Sequence, residues 1–397
     1  MLKGIKILNF QSCKNVEIKN LADVTLLMGV NNTGKSAILK AMNFPVESFI
    51  TGNPQQWNKV TAYSPNLHSY RETVYEKNIN NNIDISYVIK PTNELLRLLN
   101  TLKEHDDYGI IDIEEITLNI KYDSDNNIND GIYDKNGVLI YEKQGRDIYL
   151  SDKKTQMRLD SSNQNWDMEK KDTLSLLIND IHNEIRGFFK KIHFFSVDRR
   201  PQNWIAQPKK WDRLGIHGEN VVSLFNYLKN SDEEGFERIC ELILQISPDI
   251  VKIRTPMTEE GDVSISHKVH GLQVDVNTLM SGTGINQAIP LIVQLIYSRE
   301  GDIILIEEPE LSLYPEAQEV IANLILTEAK KGIKIICTTH SDTIPFRFWL
   351  ATKKKEISTK YVCTYIVNKV SGETKITKKN LEESLNIIFA PKDYKPM

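Results

Sequence analysis

The chain has 397 residues, which is enough for two or three domain-sized units with a sizeable core. Its net charge is only -4 with 26% charged residues, so composition neither requires nor excludes nucleic acid as a partner. Four cysteines without a CxxC pair argue against a disulfide framework or a zinc ribbon, and no apolar run approaches a membrane span. These features predict a soluble cytoplasmic protein that makes no membrane contact.

The N-terminal region is predicted to form two strands and a helix. Residues 4–10 (GIKILNF) and 23–30 (DVTLLMGV) have the apolar spacing of strands. Residues 36–44 (SAILKAMNF) have the spacing of a helix, which Pro45 should end.

A β-rich insertion is predicted next, because Asn, Asp, Tyr and Lys dominate from about residue 46 to 167. Alternating polar and apolar residues predict strands at 83–90 (IDISYVIK) and 116–123 (ITLNIKYD), and 132–143 (IYDKNGVLIYEK) is typical of a hairpin. A helical pattern over residues 168–191 then leads back to the core.

The second half predicts a return to alternating strands and helices. A strand at 192–197 (IHFFSV) is followed by two helical stretches that form a small lobe over about residues 215–248. Further strands are expected at 249–255, 262–269 and 302–308, and a hairpin at 360–378. Together these patterns predict an α/β fold, with helices packed on a sheet.

Residues 29–36 (GVNNTGKS) match the phosphate-binding pattern GxxxxGK[ST] between a predicted strand and a predicted helix. The backbone N–H groups of such a loop surround phosphate oxygens, and the helix N-terminus adds positive charge. Lys35 is expected to bridge the β- and γ-phosphates of ATP, and the Ser36 hydroxyl to bind Mg²⁺. The candidate nucleotide-binding residues are Gly29, Asn31, Asn32, Thr33, Gly34, Lys35, Ser36 and Ala37.

Two adjacent carboxylates follow the apolar run of residues 303–306. Such a site needs an acid that holds Mg²⁺ and often a second that orients the attacking water. Because side chains alternate along a strand, Glu307 is predicted to face the metal and Glu308 to act as the base. Taken alone, an acidic cluster after a strand is more often negative charge at a helix N-terminus, and the P-loop is what favours the functional interpretation. Glu310 is expected to be a surface or helix-start charge.

Two further stretches complete the candidate site. Ser281, Gly282 and Gly284 precede a predicted helix, which suits an anion, and His340 follows the apolar strand 333–339. Taken singly, the first fits a flexible loop and the second a capping or satisfied histidine.

The order and spacing of these motifs resemble the heads of ABC-type ATPases, a class that includes the structural-maintenance-of-chromosomes (SMC) proteins, RecF and the OLD (overcoming lysogenization defect) nucleases. Residues 2–21, 280–295 (MSGTGINQAIPLIVQL) and 305–318 (LIEEPELSLYPEAQ) look most like the OLD-like ATPases of bacterial anti-phage systems. Residues 197–204 (VDRRPQNW) and 217–228 also resemble that group.

The resemblance covers residues 1–45 and about 190–345 and implies a P-loop NTPase of ABC/SMC-head type. The ATPase domain is predicted at 1–45 and 190–397, and the insertion with its connecting helix at 46–189. It implies a head-to-tail dimer around ATP and Mg²⁺, in which Ser281, Gly282 and Gly284 of one copy complete the P-loop of the other. His340 would then sense the γ-phosphate. Gln11 replaces the arginine common in the class, and either Gln202 or the Arg199–Arg200 pair stands where a glutamine loop is expected.

Residues after 342 contain no DxD set of a Toprim nuclease, so an ATPase without its own nuclease is expected. The leading hypothesis is an ATP-driven sensor or scaffold, a homodimer or higher homo-oligomer, that controls a separate nuclease or toxin in anti-phage defence. The alternative is a RecF/SMC-like ATPase that binds DNA in repair or chromosome maintenance. A protein that binds nucleotide without turnover is a third hypothesis, and a transporter ATPase fits least.

Overall fold

The computed structural model of the protein describes residues 1–53, 57, 61–104, 113–144, 147–150, 156–158, 168–201 and 203–389. The strands in this part of the chain are β1 (Leu2–Phe10), β2 (Cys13–Ile18), β3 (Val24–Met28), β4 (Ile83–Ile89), β5 (Ile116–Tyr122), β6 (Ile128–Asp134), β7 (Leu139–Gln144), β8 (Asp147–Leu150), β9 (Gln156–Arg158), β10 (Ile192–Phe195), β11 (Ile250–Arg254), β12 (Ser266–Val269), β13 (Asp275–Asn277), β14 (Ile303–Glu307), β15 (Lys334–Thr339), β16 (Val362–Val370) and β17 (Glu373–Lys379). The helices there are α1 (Lys35–Asn43), α2 (Val46–Thr51), α3 (Tyr70–Thr73), α4 (Asn93–Glu104), α5 (Met168–Lys190), α6 (Val221–Ser231), α7 (Glu233–Ile246), α8 (Thr283–Tyr297), α9 (Pro315–Lys330), α10 (Thr343–Lys353) and α11 (Leu381–Phe389), with 3-10 turns at Tyr75–Lys77, Thr278–Met280 and Thr359–Tyr361.

A six-stranded sheet carries the predicted motifs. Its order is β10-β14-β15-β3-β16-β17, and all neighbours are parallel except β16 and β17. Every residue of β3, β14 and β15 is buried, as expected for a parallel sheet covered on both faces. Because these three strands are neighbours and parallel, the loops after them meet at one edge of the sheet.

The predicted hairpin at 360–378 is confirmed as β16 and β17, which turn at Ser371 and Gly372. Strand β16 pairs with β3, the strand that leads into the P-loop. The hairpin therefore lies beside the phosphate-binding motif.

An eight-stranded antiparallel sheet joins the N-terminus to the predicted insertion. Its order is β2-β1-β4-β5-β6-β7-β8-β9, and β1 pairs with β2 on one side and with β4 on the other. The predicted strands at 83–90 and 116–123 and the hairpin at 132–143 are confirmed as β4, β5 and β6–β7. The domain boundary at residue 46 stays a prediction, but the sheet runs continuously through strands from both sides of it.

Two hydrophobic clusters fill the molecule. One lies between the eight-stranded sheet, α1 and α5, and the other joins the six-stranded sheet to α6, α7, α8 and α9. The helical lobe is confirmed as α6 and α7, whereas the strand predicted at 262–269 forms only at Ser266–Val269, because Val263 instead bridges Ala206 and Met257. No helix among the described residues is long and apolar enough to cross a membrane.

Candidate functional site

The P-loop turns from β3 into α1 through two glycines that allow close backbone approach. Gly34 caps α1 with φ 102°, and a Cβ there would lie 2.0 Å from Oγ1 of Thr374 and 2.7 Å from Oγ of Ser12. A Cβ on Gly29 would lie 2.2 Å from the carbonyl oxygen of Val367. Both glycines are therefore required by contacts with the neighbouring strands as well as by phosphate chemistry.

The P-loop residues, the acid and the histidine border one open cavity of about 500 Å³. Its walls are formed by Gln11, Ser12, Asn31, Asn32, Thr33, Gly34, Lys35, Ser36, Ala37, Glu308, His340 and Lys369. Most of the predicted nucleotide-binding residues are thus brought together with both predicted catalytic residues. Gly29 lies outside the lining and acts through its carbonyl.

Lys35 lies at the centre of this arrangement and is almost fully buried. Its Nζ donates hydrogen bonds of 2.9 Å to the carbonyl oxygens of Gly29 and Val30. Burial lowers the pKa of the Lys35 ammonium, and the carboxylates of Glu308 and Glu310 oppose that shift. The charge is held where an anionic ligand would meet it.

The two adjacent carboxylates point to different places. Glu307 ends β14 and is 3% exposed, and its Oε2 accepts a 3.1 Å hydrogen bond from the Val197 N–H. Glu308 lies beyond the strand with φ 46°, a left-handed backbone, and faces the cavity. The two side chains diverge because of that backbone turn, not because side chains alternate within a strand, so the predicted reason was wrong.

The metal-side role of Glu307 stays a prediction, and Glu307 lies outside the cavity lining. Burial raises the pKa of its carboxyl, while Lys40, the Ser36 hydroxyl and the Val197 N–H lower it. Its Oε1 is buried without a hydrogen bond of normal geometry among the described residues. A Mg²⁺ ion shared with Ser36 would satisfy that oxygen, since hard cations prefer oxygen ligands.

Glu310 was expected at the surface, and this expectation was wrong. It is 9% exposed, and its Oε1 accepts hydrogen bonds from the Thr339 hydroxyl (3.0 Å), the His340 N–H (2.7 Å) and the Ser341 N–H (3.1 Å). The carboxylate is buried because it caps the loop after β15. It holds the backbone of the candidate catalytic histidine in place.

His340 lines the same cavity as Lys35. Its Nε2 lies 3.5 Å from Oε1 of Glu308. Burial and the Lys35 charge lower the pKa of the imidazole, and Glu308 raises it. The histidine and the candidate base therefore face the same volume.

Ser281, Gly282 and Gly284 do not reach this cavity within one chain. The Ser281 hydroxyl lies 3.2 Å from Nε2 of His267, and Gly282, at the N-terminus of α8, has open space where a Cβ would be. A Cβ on Gly284 would meet the carbonyl oxygen of Ser312 at 2.6 Å, so this glycine packs on the loop after β14. Their role in a partner's site stays a prediction.

Lys369 and Ser12 are cavity residues that sequence reasoning missed. Lys369 comes from the end of β16, and Ser12 is held by Thr374, which also donates a 2.9 Å hydrogen bond to the Thr33 carbonyl. A lysine just before a predicted hairpin turn was the available signal for Lys369, but the pairing of β16 with β3 was not readable. Gln11, which replaces the arginine common in the class, also lines the cavity.

The candidate glutamine-loop residues do not lie together in the structure. Gln202 lies outside the described residues. Arg200 pairs with Asp198 at the surface, and Arg199 is fully buried behind the carboxylates instead of lining the cavity.

Comparison with known proteins adds independent findings. A family model described as "AAA ATPase domain" matches residues 1–344. The chain is also similar to the structure of an SMC head bound to the C-winged helix domain of ScpA, at 14% identity and TM-score 0.55, covering 96% of this chain and 99% of that one. A second similar structure, an SMC head with an extended coiled coil bound to the C-terminal domain of ScpA from Pyrococcus furiosus, has 12% identity, TM-score 0.54 and 98% coverage of both chains.

A curated relative shares a shorter stretch. An uncharacterised protein of Methanocaldococcus jannaschii is 36% identical over 101 residues, which spans 22% of this chain and 30% of the relative. The structural likeness confirms the predicted fold of ABC/SMC-head type. The finer resemblance to OLD-like defence ATPases stays a prediction.

Proposed function

The chain belongs to the AAA ATPase domain family and is an ATP hydrolase, and we propose that its active sites close between two head-to-tail copies. One observation carries the proposal. Lys35, Glu308 and His340 share a cavity, whereas the half-buried Ser281 and the exposed Gly282 lie at the start of α8, outside that cavity. A second copy can supply what the first lacks.

In the proposed site each residue has one task. Lys35 and the P-loop N–H groups bind the phosphates of ATP, while Ser36 and Glu307 hold Mg²⁺, which neutralises phosphate charge. Glu308 orients and deprotonates the attacking water, and His340 contacts the γ-phosphate. Gln11 and Lys369 extend the cavity beyond the P-loop.

Turnover measurements test this assignment. Glu308→Gln should lower kcat by about 10²- to 10⁴-fold with ATP binding retained, because it removes the base but keeps the shape. Lys35→Ala should weaken ATP binding itself. The exposed residues Glu316 and Lys354 offer matched controls, Glu316→Gln and Lys354→Ala, which should leave both quantities unchanged. Wild-type turnover in Glu308→Gln would contradict the proposed site.

We further propose that ATP-dependent closure of the dimer controls a separately encoded effector, a nuclease or toxin, in anti-phage defence. The support is the set of candidate P-loop, metal-binding and catalytic residues together with the resemblance to OLD-like ATPases. The SMC heads in the two similar structures were each solved with a domain of a separate protein, which makes an external partner a reasonable expectation.

A plaque assay tests the defence role in cells that carry the chain and the gene beside it. The wild type should reduce plaque formation, and Lys35→Ala and Glu308→Gln should not. If either variant reduced plaque formation as much as the wild type, control by ATP would be contradicted.

A RecF/SMC-like role on DNA remains the second candidate, favoured by the SMC-head fold. It requires binding of plain duplex DNA whose affinity falls steeply with salt. Titration of the isolated protein with duplex DNA at two salt concentrations distinguishes the two roles, since the effector hypothesis needs no such binding.

A further inference from the structure

A buried arginine lies directly behind the candidate catalytic carboxylates. Arg199 is 0% exposed, and its guanidinium donates only to main-chain carbonyl oxygens in the described part of the chain. Nη2 donates to Glu308 O at 2.8 Å, and Nη1 donates to Glu307 O and, at 2.9 Å, to Ser196 O. The side chain therefore holds the backbone of both adjacent glutamates at the point where the left-handed turn separates them.

The same arginine is tied to the helix that begins at the signature stretch. Its Nε donates to Gln287 O at 3.2 Å, and its own backbone N–H donates to Oε1 of Gln287 at 2.9 Å. Gln287 lies in α8, three residues after Gly284 and 1% exposed. One planar group thus connects α8 to the end of β14.

Charge around the arginine also favours this position. Burial lowers the pKa of Arg199 to about 10, and Glu310, Glu307 and Glu308 oppose that shift through their charges. A buried cation is stable only where neighbouring charges and hydrogen bonds compensate its lost hydration. Arg199 has both. Within the described ranges no carboxylate accepts a hydrogen bond from the guanidinium, which instead donates to main-chain carbonyl oxygens.

We propose that Arg199 is a positioning residue that couples α8 to Glu307 and Glu308, so that the contact of the signature with a partner copy sets the geometry of the acid pair. The inference rests on the proposed hydrolysis between two copies. Because the guanidinium bonds to both α8 and the glutamate carbonyls, a shift of α8 displaces the carboxylates. Displacements near 1 Å at a reacting centre change rates by about 10²-fold.

Two substitutions weaken the link at different ends. Arg199→Lys keeps the charge but cannot span the carbonyls of Gln287, Glu307 and Glu308 together, since an ammonium lacks the planar fork. Gln287→Met keeps length and burial but removes the side-chain acceptor for the Arg199 N–H, so only the bond from Nε to the Gln287 main-chain carbonyl still ties Arg199 to α8. Two variants serve as controls: Gln294→Met changes a glutamine equally buried in α8 that bonds to Ser298, and Arg213→Lys changes a partly buried arginine that lies over the Tyr63 ring.

The experiment measures kcat, ATP affinity and thermal midpoint for the full chain. Both link variants should lower kcat by about 10- to 10²-fold with ATP affinity unchanged, and the two controls should keep wild-type kcat. The kcat of the double variant should be no lower than that of the less active single variant, because both changes weaken the same link. If Arg199→Lys does not fold, the comparison of kcat between Gln287→Met and its control Gln294→Met tests the inference by itself.

Failure of the inference and failure of the proposed function give different results. If Glu308→Gln abolishes turnover while the link variants stay within twofold of wild type, Arg199 does not position the acid pair. The coupling would also be contradicted if the fold-losses of kcat in the two single variants multiplied in the double variant. If Glu308→Gln itself keeps turnover, the proposed site is wrong whatever the link variants do.

Discussion

Lys369 brings a second ammonium group to the P-loop cavity from a strand far along the chain. Lys369 is exposed, so we expect Lys369→Ala to weaken ATP binding by up to about fivefold, because an exposed ion contact contributes at most about 1 kcal/mol. Lys378→Ala on the same hairpin is the matched control, since Lys378 lies over the Tyr365 ring and outside the cavity. Nucleotide titration measures both, and equal affinities for the two variants would remove Lys369 from the site.

Asp130 is a buried carboxyl in the eight-stranded sheet and gives a pH-dependent prediction. It is 5% exposed, its Oδ2 lies 3.5 Å from Nε2 of His182, and burial raises its pKa to about 7. Burial also lowers the pKa of His182 to about 4, so the imidazole carries no compensating charge above that pH. The native state therefore keeps a proton on Asp130 that the unfolded chain releases near pH 4.

Stability from this proton is complete at low pH and is lost as pH rises towards 7. Asp130→Asn carries no ionisable group, so the variant should gain stability over the wild type progressively between pH 4 and 7. The gain should reach on the order of 4 kcal/mol above pH 7. Urea unfolding at several pH values measures it, and a difference independent of pH would contradict the buried-proton explanation.

At the scale of elements, two glycines at the start of α8 have different surroundings, so substitutions there distinguish a packing role from a functional one. Gly284→Ala should destabilise the fold by about 1–3 kcal/mol, because its Cβ would press on the Ser312 carbonyl at 2.6 Å. Gly282→Ala meets open space and should change stability by less than about 0.5 kcal/mol. If Gly282 faces a partner's nucleotide, this second variant should nevertheless lose ATP turnover. Thermal unfolding and an ATPase assay on both variants check the contrast, and full turnover in a stable Gly282→Ala protein would contradict the proposed contact.

At the scale of the whole molecule, composite sites predict complementation between inactive variants. A mixture of Lys35→Ala with Ser281→Arg produces mixed dimers in which an intact P-loop faces an intact signature. Random pairing should restore about a quarter of wild-type activity in single-turnover hydrolysis, since half the dimers are mixed and each has one good site.

The control mixes Lys35→Ala with Glu308→Gln. Both changes damage the P-loop side, so every site in these mixed dimers stays defective and no activity should return. If the two mixtures recovered the same ATPase activity, the head-to-tail arrangement would be contradicted.

The local motifs of the site were predictable from sequence because their parts are close together in the chain. The P-loop needs only a strand, eight residues and a helix, and β3 and α1 form where apolar spacing indicates. Glu307 and Glu308 likewise follow a run of apolar residues that forms β14. The helical lobe and the hairpins were predictable for the same reason.

Tertiary structure alone decided the contacts between distant segments. Arg199 reaches the Glu307 carbonyl across 108 residues, Thr374 reaches Thr33 across 341, and Glu310 is buried under a loop 30 residues later. Each of these side chains looks like ordinary surface charge or polarity when read alone. Sequence determined the chemistry because short-range patterns encode it, whereas strand order determined which groups meet, and that order depends on how the whole chain packs.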